Sequence, residues 1–547
     1  MPAADSPMTK VQEAVQAATA TLHEGAAAPP ARFMLLLKPT DDPVARHAEI
    51  AEAVAPLGAA VRPFSTLDPQ LLVVQFPGRA FAVRGGAAFA AAHRFTEAFD
   101  LAGAEPDLPS DLFPEANPDR GFVIEDVTGF PLGCFVDDEP ALPPAWAIDA
   151  IAAPAAWDFS VANQRPDRGR GIVVAQPDTG VIPHLELAAI NSVPGFDVLD
   201  DDADPTDPLD GQNPGHGTGT ASVVVSGTSG TVTGSAPAIS HMPIRAIRSV
   251  VQITLGTVAE AVDWAVEHGA HVITMSLGGF FSFSMQRALR RAVQADVIVL
   301  AAAGNCVGTV VWPARFDECI AVAGVDARGA KWRGSCSGSA VDISAPAQNV
   351  WRAAVPEGVG RSQGTSFAVA LTAGVAALWL AHHGRANLVG AARARGETLQ
   401  DMFRRMVGAT ARRPDGWDSF EMGAGIVDAR ALLEADLDVD RGREGVSPAA
   451  DPRVAAALTV AGLAAEEIGP AEALRDPPDW YAHGPELSWL LLQRARARRG
   501  GGLVGEESAD RPVPSVDLDG AVGSPALRDA LGLGGAVPEI GESGGGR

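Results

Sequence analysis

Gly364-Thr365-Ser366-Phe367-Ala368, running on into the apolar segment Val369 to Leu380, is the stretch that decides how this chain is read. Small and apolar residues fill every face after the Thr-Ser pair, which predicts a long, buried helix. The start of a helix has backbone N–H groups without partners and the positive end of the peptide dipole, so negative charge developing there is stabilised. Gly364 lets a second backbone come close to the Ser366 hydroxyl. Alone the signal is weak, because Thr and Ser commonly cap helices. Three upstream segments give it meaning: Gly171-Ile-Val-Val-Ala-Gln-Pro-Asp178-Thr-Gly180, Asn213-Pro-Gly-His216-Gly-Thr-Gly-Thr220 and Leu300-Ala-Ala-Ala-Gly-Asn305. Asp178 ends a short β-branched run that reads as a buried strand, and ligand chemistry in open α/β sheets gathers at the carboxyl ends of strands. His216 stands before Ala221-Ser-Val-Val-Val225, on the expected first turn of a buried helix. Each residue singly has a plain structural reading as a turn or cap. Together they offer an acid, an imidazole, an amide and a hydroxyl.

In the order Asp, His, Asn, Ser these segments resemble the subtilisin-like serine proteases, the subtilase family. The resemblance runs from about Pro144 to about Leu433. It includes Ala236-Pro237 with Met242-Pro243-Ile244-Arg245, Val272-Ile-Thr-Met-Ser-Leu-Gly-Gly279, Trp312-Pro-Ala-Arg-Phe316 and Gly423-Ala-Gly-Ile-Val-Asp-Ala429. It implies an α/β fold, a parallel sheet flanked by helices. It also implies that Ser366 attacks a peptide carbonyl, His216 takes and returns the proton, and Asp178 holds the imidazole tautomer. Asn305 and the Ser366 backbone N–H would form the oxyanion hole. Ser276, Leu277 and Gly278 read as an exposed edge on which a peptide adds as a strand. By resemblance Ala301 to Gly304, including Ala302, line the pocket for the side chain before the cut bond, with room for a sizeable apolar group. The chain departs from the family at Ala370, where Pro is usual, at Pro177, where an aliphatic residue is usual, and at Gly219, where His is common. None of these removes a reacting group.

Two rivals come from other classes. A catalytically silent peptide-binding scaffold of the same fold is disfavoured by the presence of all four functional residues. An esterase would show Gly-x-Ser-x-Gly and the order Ser, acid, His; Ser366 has neither.

Composition narrows the partners. The net charge of −25 argues against a general affinity for nucleic acid or anionic membrane, and a single tyrosine argues against a base-stacking surface. Residues 1–31 have no basic segment followed by an apolar core, and no stretch reads as long enough to span a bilayer; a cytoplasmic location is expected, with export left open. Four cysteines, Cys134, Cys306, Cys319 and Cys336, are too few for a disulfide framework, and free thiols are expected. The loop Asp197 to Asp210 is dense in carboxylates that could hold Ca²⁺, but its spacing is not that of an EF-hand, so no cofactor is expected.

The expected organisation is a disordered terminus over 1–31, an α+β domain over 32–130, a linker over 131–144 and the peptidase domain over 145–435. A linker with short helices follows over 436–499, then a disordered tail over 500–547. In the amino-terminal region strands are expected at Phe33–Leu37, Val61–Leu67, Leu71–Phe76 and Phe122–Val127, with helices at Val44–Ala55 and Ala87–Phe99. This β-α-β-β-α-β order fits a ferredoxin-like unit and is similar to the inhibitory pro-domain of many subtilases. Intramolecular inhibition and self-cleavage near Pro131 to Pro144 are therefore expected, against the alternative of an accessory domain that is never cut.

Overall fold

The computed structural model describes residues 30–81, 86–108, 142–227, 230–252, 254–305 and 310–439, together with 22–24 and positions 11, 16 and 486. Among the described residues, the smaller of the two main sheets is four-stranded and precedes the larger in the chain. It is built from β1 (Ala31–Leu36), α1 (Pro43–Val54), β2 (Ala60–Ser65), β3 (Asp68–Phe76), α2 (Gly86–Ala98) and β4 (Gly103–Asp107). The strand order β2-β3-β1-β4, antiparallel throughout, is that of a split β-α-β unit. The fourth strand of this sheet is Gly103–Asp107, and Phe122–Val127, where a strand is expected, lies outside the described residues. Gly-Ala-Glu-Pro-Asp shows no apolar alternation, and Pro106 is tolerated because β4 pairs only with β1, at the sheet edge.

The unbroken apolar run of β1 has a geometric cause. Successive side chains of a strand face opposite ways, and both faces of this sheet are covered. Phe33 and Leu35, with Leu72 and Val74, pack with residues of α1 and α2 such as Ile50 and Phe95. Met34, with Phe64, Leu71 and Val73, belongs instead to the core of the larger domain.

That domain follows as β5 (Val173–Asp178), α3 (His216–Val225), β6 (Ser240–Arg245), α4 (Gly256–Glu267), β7 (Val272–Met275), α5 (Phe283–Gln294), β8 (Ile298–Ala302), β9 (Ile320–Val325) and β10 (Ile343–Pro346). A hairpin of β11 (Val350–Ala353) and β12 (Val359–Ser362) leads to α6 (Thr365–His383). The parallel sheet runs β10-β9-β8-β7-β5-β6, with two short strands, Asn191–Ser192 and Phe196–Asp197, added beside β6. Its alternation splits the core. Ala175, Ile273, Val299 and Ala321 point to the layer that holds α4 and α5. Val174, Val272, Ile298 and Ile320 point to the layer that holds α3 and α6. All but one residue of α6 are buried; it is long and apolar enough by composition to cross a bilayer, which corrects the expectation that no stretch is, and it serves as the central core helix.

The small domain sits on α4 and α5 through charged and polar contacts around that apolar face. Asp68 receives Arg287 Nε at 2.7 Å and Arg291 Nη1 at 2.5 Å, Arg32 Nη2 reaches Glu260 at 2.6 Å, and Ser65 donates to Asp263 at 2.5 Å. Glu105 covers the start of α5. It accepts from Ser282 Oγ at 2.8 Å, Ser284 Oγ at 2.6 Å and the Phe283 and Ser284 N–H groups at 3.2 Å each. Burial pushes Glu105 up to about 7 from an ordinary 4.5, against the pull of those donors. A carboxyl whose pKa is raised in the folded state takes up a proton on docking, so the contact is strongest at low pH. Resistance of the small domain to limited proteolysis should fall as pH rises from about 4.5 to about 7. Glu105→Gln should flatten that dependence.

Candidate active site

The carboxyl ends of the parallel strands gather the candidate side chains. Asp178 ends β5, His216 is the first residue of α3, Asn305 follows β8 and Ser366 is the second residue of α6. Close approach of α3 to the end of β5 requires Gly217, where a Cβ would stand 2.2 Å from the Gly180 carbonyl oxygen.

The structure joins the acid and the imidazole. His216 Nδ1 lies 2.8 Å from Asp178 Oδ1, and the Thr179 N–H donates to the same oxygen at 2.7 Å. Thr220 Oγ1 stands 3.2 Å from Asp178 Oδ2. Asp178 is 1% exposed, so each of these interactions acts in a low-dielectric site. An imidazole held through Nδ1–H presents Nε2 as the free base.

Asn305 has its amide oriented by the next element. Its Oδ1 accepts from the Thr365 N–H at 2.9 Å and from Thr365 Oγ1 at 2.8 Å. A backbone N–H can only donate, which identifies that atom as oxygen and leaves Nδ2 as a donor. Thr365 Oγ1 in turn accepts from the Gly304 N–H at 3.2 Å. Around Gly364 the donors converge. A Cβ built there would lie 3.4 Å from Asn305 Nδ2, 3.8 Å from Ser366 N and 4.0 Å from Ser366 Oγ. Gly364 has φ +148°, a region that favours glycine, and the space its missing side chain leaves is bordered by two N–H donors and one hydroxyl.

The hydroxyl and the imidazole are not hydrogen-bonded to each other. Ser366 Oγ donates instead to the Ser276 carbonyl at 3.4 Å, a long contact, while Ser276 Oγ donates to the Ser366 carbonyl at 3.0 Å. Such contacts are commonly loose without substrate and tighten on its arrival.

Ser276, Leu277 and Gly278 do not form the free edge expected of them. The Gly278 N–H donates to the Val250 carbonyl, and its carbonyl accepts from the Gln252 N–H, both at 2.8 Å. Leu277 is buried. The apolar pair Val250-Val251 packs under the small domain and carries this segment onto Gly278. Ala302 ends β8 and Gly304 follows it, and Val311 stands between Gly304 and Gly278: its Cγ2 would be 2.6 Å from a Cβ on Gly278 and 2.9 Å from one on Gly304.

A model of the subtilase family matches residues 169–425. Thermitase from Thermoactinomyces vulgaris is 35% identical over 240 residues, which are 43% of this chain and 81% of thermitase. The chain belongs to the subtilase family. Alkaline elastase YaB from Bacillus sp. (strain YaB) is 31% identical over 43% of this chain and 59% of its own length. A solved structure, a mutant form of the protease domain of PatA, is 27% identical, covers 48% of this chain and 94% of that chain, and superposes with a TM-score of 0.42. Subtilases are serine peptidases, and their substrates are polypeptides.

Away from these four side chains, carboxylates of the acidic loop of this subtilase make local contacts. Asp197 and Asp200 hold Arg245, and Asp202, Asp204 and Asp207 each accept from a backbone N–H two residues on. Among the described residues no three His, Cys, Asp or Glu side chains are grouped as metal ligands. Cys319 is a buried thiol whose pKa burial raises, and Cys336 is buried as well; Cys134 and Cys306 lie outside the described residues. Sequence reasoning missed Thr365, Thr220, Gln176 and His241. For Gln176 the readable signal was a polar side chain in the middle of an apolar strand run.

Proposed function

We propose that this subtilase is an endopeptidase whose nucleophile is Ser366, with His216 as general base, Asp178 as its orienting acid, and Asn305 Nδ2 with the Ser366 N–H as the oxyanion hole. The observation that carries the reading is the 2.8 Å Asp178–His216 hydrogen bond, combined with the convergence of Asn305 Nδ2, Ser366 N and Ser366 Oγ on the space beside Gly364. Attack by Oγ on a peptide carbonyl transfers the hydroxyl proton to His216 Nε2. The oxygen gains negative charge facing the two N–H donors, and the imidazolium returns the proton to the departing amine. A fluorophosphonate probe tests this directly: it should label the wild-type chain and spare Ser366→Ala.

The rival reading, a silent peptide-binding scaffold, draws support from the Ser366 hydroxyl facing Ser276 and from the pairing of Gly278 with 250–252. A wild-type chain that never takes the probe would establish it. In the endopeptidase reading, an incoming peptide replaces Val250 and Gln252 as the partner of Gly278, and the small domain acts as an intramolecular inhibitor. Its support is the set of ion pairs and the shared apolar face that dock it on α4 and α5. Incubated enzyme should then acquire a new amino terminus between about Pro118 and Pro144, and Ser366→Ala should keep the original one.

Val311 restricts the side chain accepted before the cut bond to small apolar groups such as Ala. Val311→Gly should shift kcat/KM toward Leu and Phe at that position. Adding or removing a few methylenes in such a pocket changes discrimination by roughly 10- to 200-fold. Peptide-library profiling of both proteins measures it.

A further inference from the structure

Behind Asp178 a row of polar side chains crosses the core: Gln176 is 2% exposed, Thr220 1% and His241 1%. Hydrogen-bond direction is fixed at Gln176 and His241. Gln176 Nε2 lies 2.9 Å from the Gly217 carbonyl and 2.7 Å from Thr220 Oγ1. A carbonyl can only accept, so the amide nitrogen, not the oxygen, faces Gly217. Gln176 Oε1 therefore meets His241 Nε2 at 2.8 Å, and that ring nitrogen must be the donor. Because Gln176 already serves the Gly217 carbonyl and feeds Thr220 Oγ1, the single Thr220 proton is left for Asp178 Oδ2, an ionised and hence stronger acceptor than the His216 carbonyl at 3.1 Å.

We propose that His241, Gln176 and Thr220 are positioning residues that keep one hydroxyl donor on Asp178 Oδ2, and so set both the aim of the carboxylate and its hold on the His216 imidazolium. This rests on Asp178, His216 and Ser366 being the reacting groups. Burial lowers His241 to about 4, so the row ends in a neutral donor through the neutral range. The other charged groups around α3 are Asp207, which accepts from Thr179 Oγ1 and the Gly215 N–H, Arg352 beside Gly219, Glu186 at the far end of the helix, and Arg245 with Asp197 and Asp200. None of them hydrogen-bonds to Gln176, Thr220 or His241.

The test compares the pH profiles of kcat/KM on a chromogenic peptide, and of fluorophosphonate labelling, in the full chain. Thr220→Val keeps the volume and removes the donor. A carboxylate with one donor fewer holds the imidazolium more tightly, so the acid limb should move up by about half a pH unit. The looser carboxylate should also lower kcat by roughly three- to tenfold at unchanged KM. Thr220→Ser should restore the wild-type limb. Gln176→Leu frees the Thr220 proton for the Gly217 carbonyl, so it should shift the limb the same way, and the double variant should shift no further than the larger single one. An unmoved limb in Thr220→Val, or additive shifts in the double variant, overturns the inference while wild-type hydrolysis upholds the parent reading. A wild-type chain that neither hydrolyses nor takes the probe overturns both.

Discussion

Ser366→Ala should lower kcat on a peptide substrate by about 10⁶-fold, the scale established for the same group in subtilisin itself. The side chain is small and nearly buried at the head of a helix that already begins without a side-chain cap, so alanine costs the fold little. Unfolding temperature should be unchanged, and KM should stay within a few-fold, because the lost group forms a bond only along the reaction path. His216→Ala should fall to a similar floor, and the Ser366→Ala, His216→Ala double variant no lower, since nucleophile and base act as a unit. Single-turnover hydrolysis measures all three. A Ser366→Ala chain retaining a tenth of wild-type turnover would remove Ser366 from the reaction.

Asn305→Leu should lower kcat by roughly 10²–10³ with KM little changed, the range known for the corresponding donor in subtilisin. A second effect must be separated from this one. The same side chain accepts from the Thr365 N–H and hydroxyl, and leaving buried donors without a partner costs about 1–3 kcal/mol of stability. Asn305→Asp distinguishes the two roles. It keeps an acceptor for Thr365 and so the start of α6, but it replaces the Nδ2 donor with an oxygen that repels the developing oxyanion. Asn305→Asp should therefore keep most of the thermal stability yet lose at least as much kcat as Asn305→Leu. Equal activity in Asn305→Asp and wild type would take the amide out of the oxyanion hole.

The sequence made the larger sheet and the placement of the four candidate residues legible because each lies at the end of a strongly apolar strand or helix, where local pattern and chemistry coincide. The small domain was legible for the same reason over β1, β3 and both helices. Its last strand was not: Gly103–Asp107 owes its place to pairing with β1 and to the burial of Glu105 against α5, neither of which leaves an alternating pattern. Contacts between distant segments were equally silent. Nothing in Ser276-Leu277-Gly278 announces that Val250 and Gln252 bond to Gly278, and nothing in the segment 310–312 announces that Val311 lies between Gly278 and Gly304. Buried polar rows such as Gln176, Thr220 and His241 depend on three residues far apart in the chain meeting in space, which periodicity cannot report.

The central placement of α6 also times the enzyme. This helix packs against β5, β7, β8, β9 and β10, yet it is encoded after all of them. A nascent chain on the ribosome has every strand of the sheet but neither the middle of one layer nor the proposed nucleophile until residue 366 has been added. The contacts of this nineteen-residue apolar helix with the sheet are long-range and therefore form late. With Ser366 as the nucleophile, a half-built copy would be unable to digest the proteins around it.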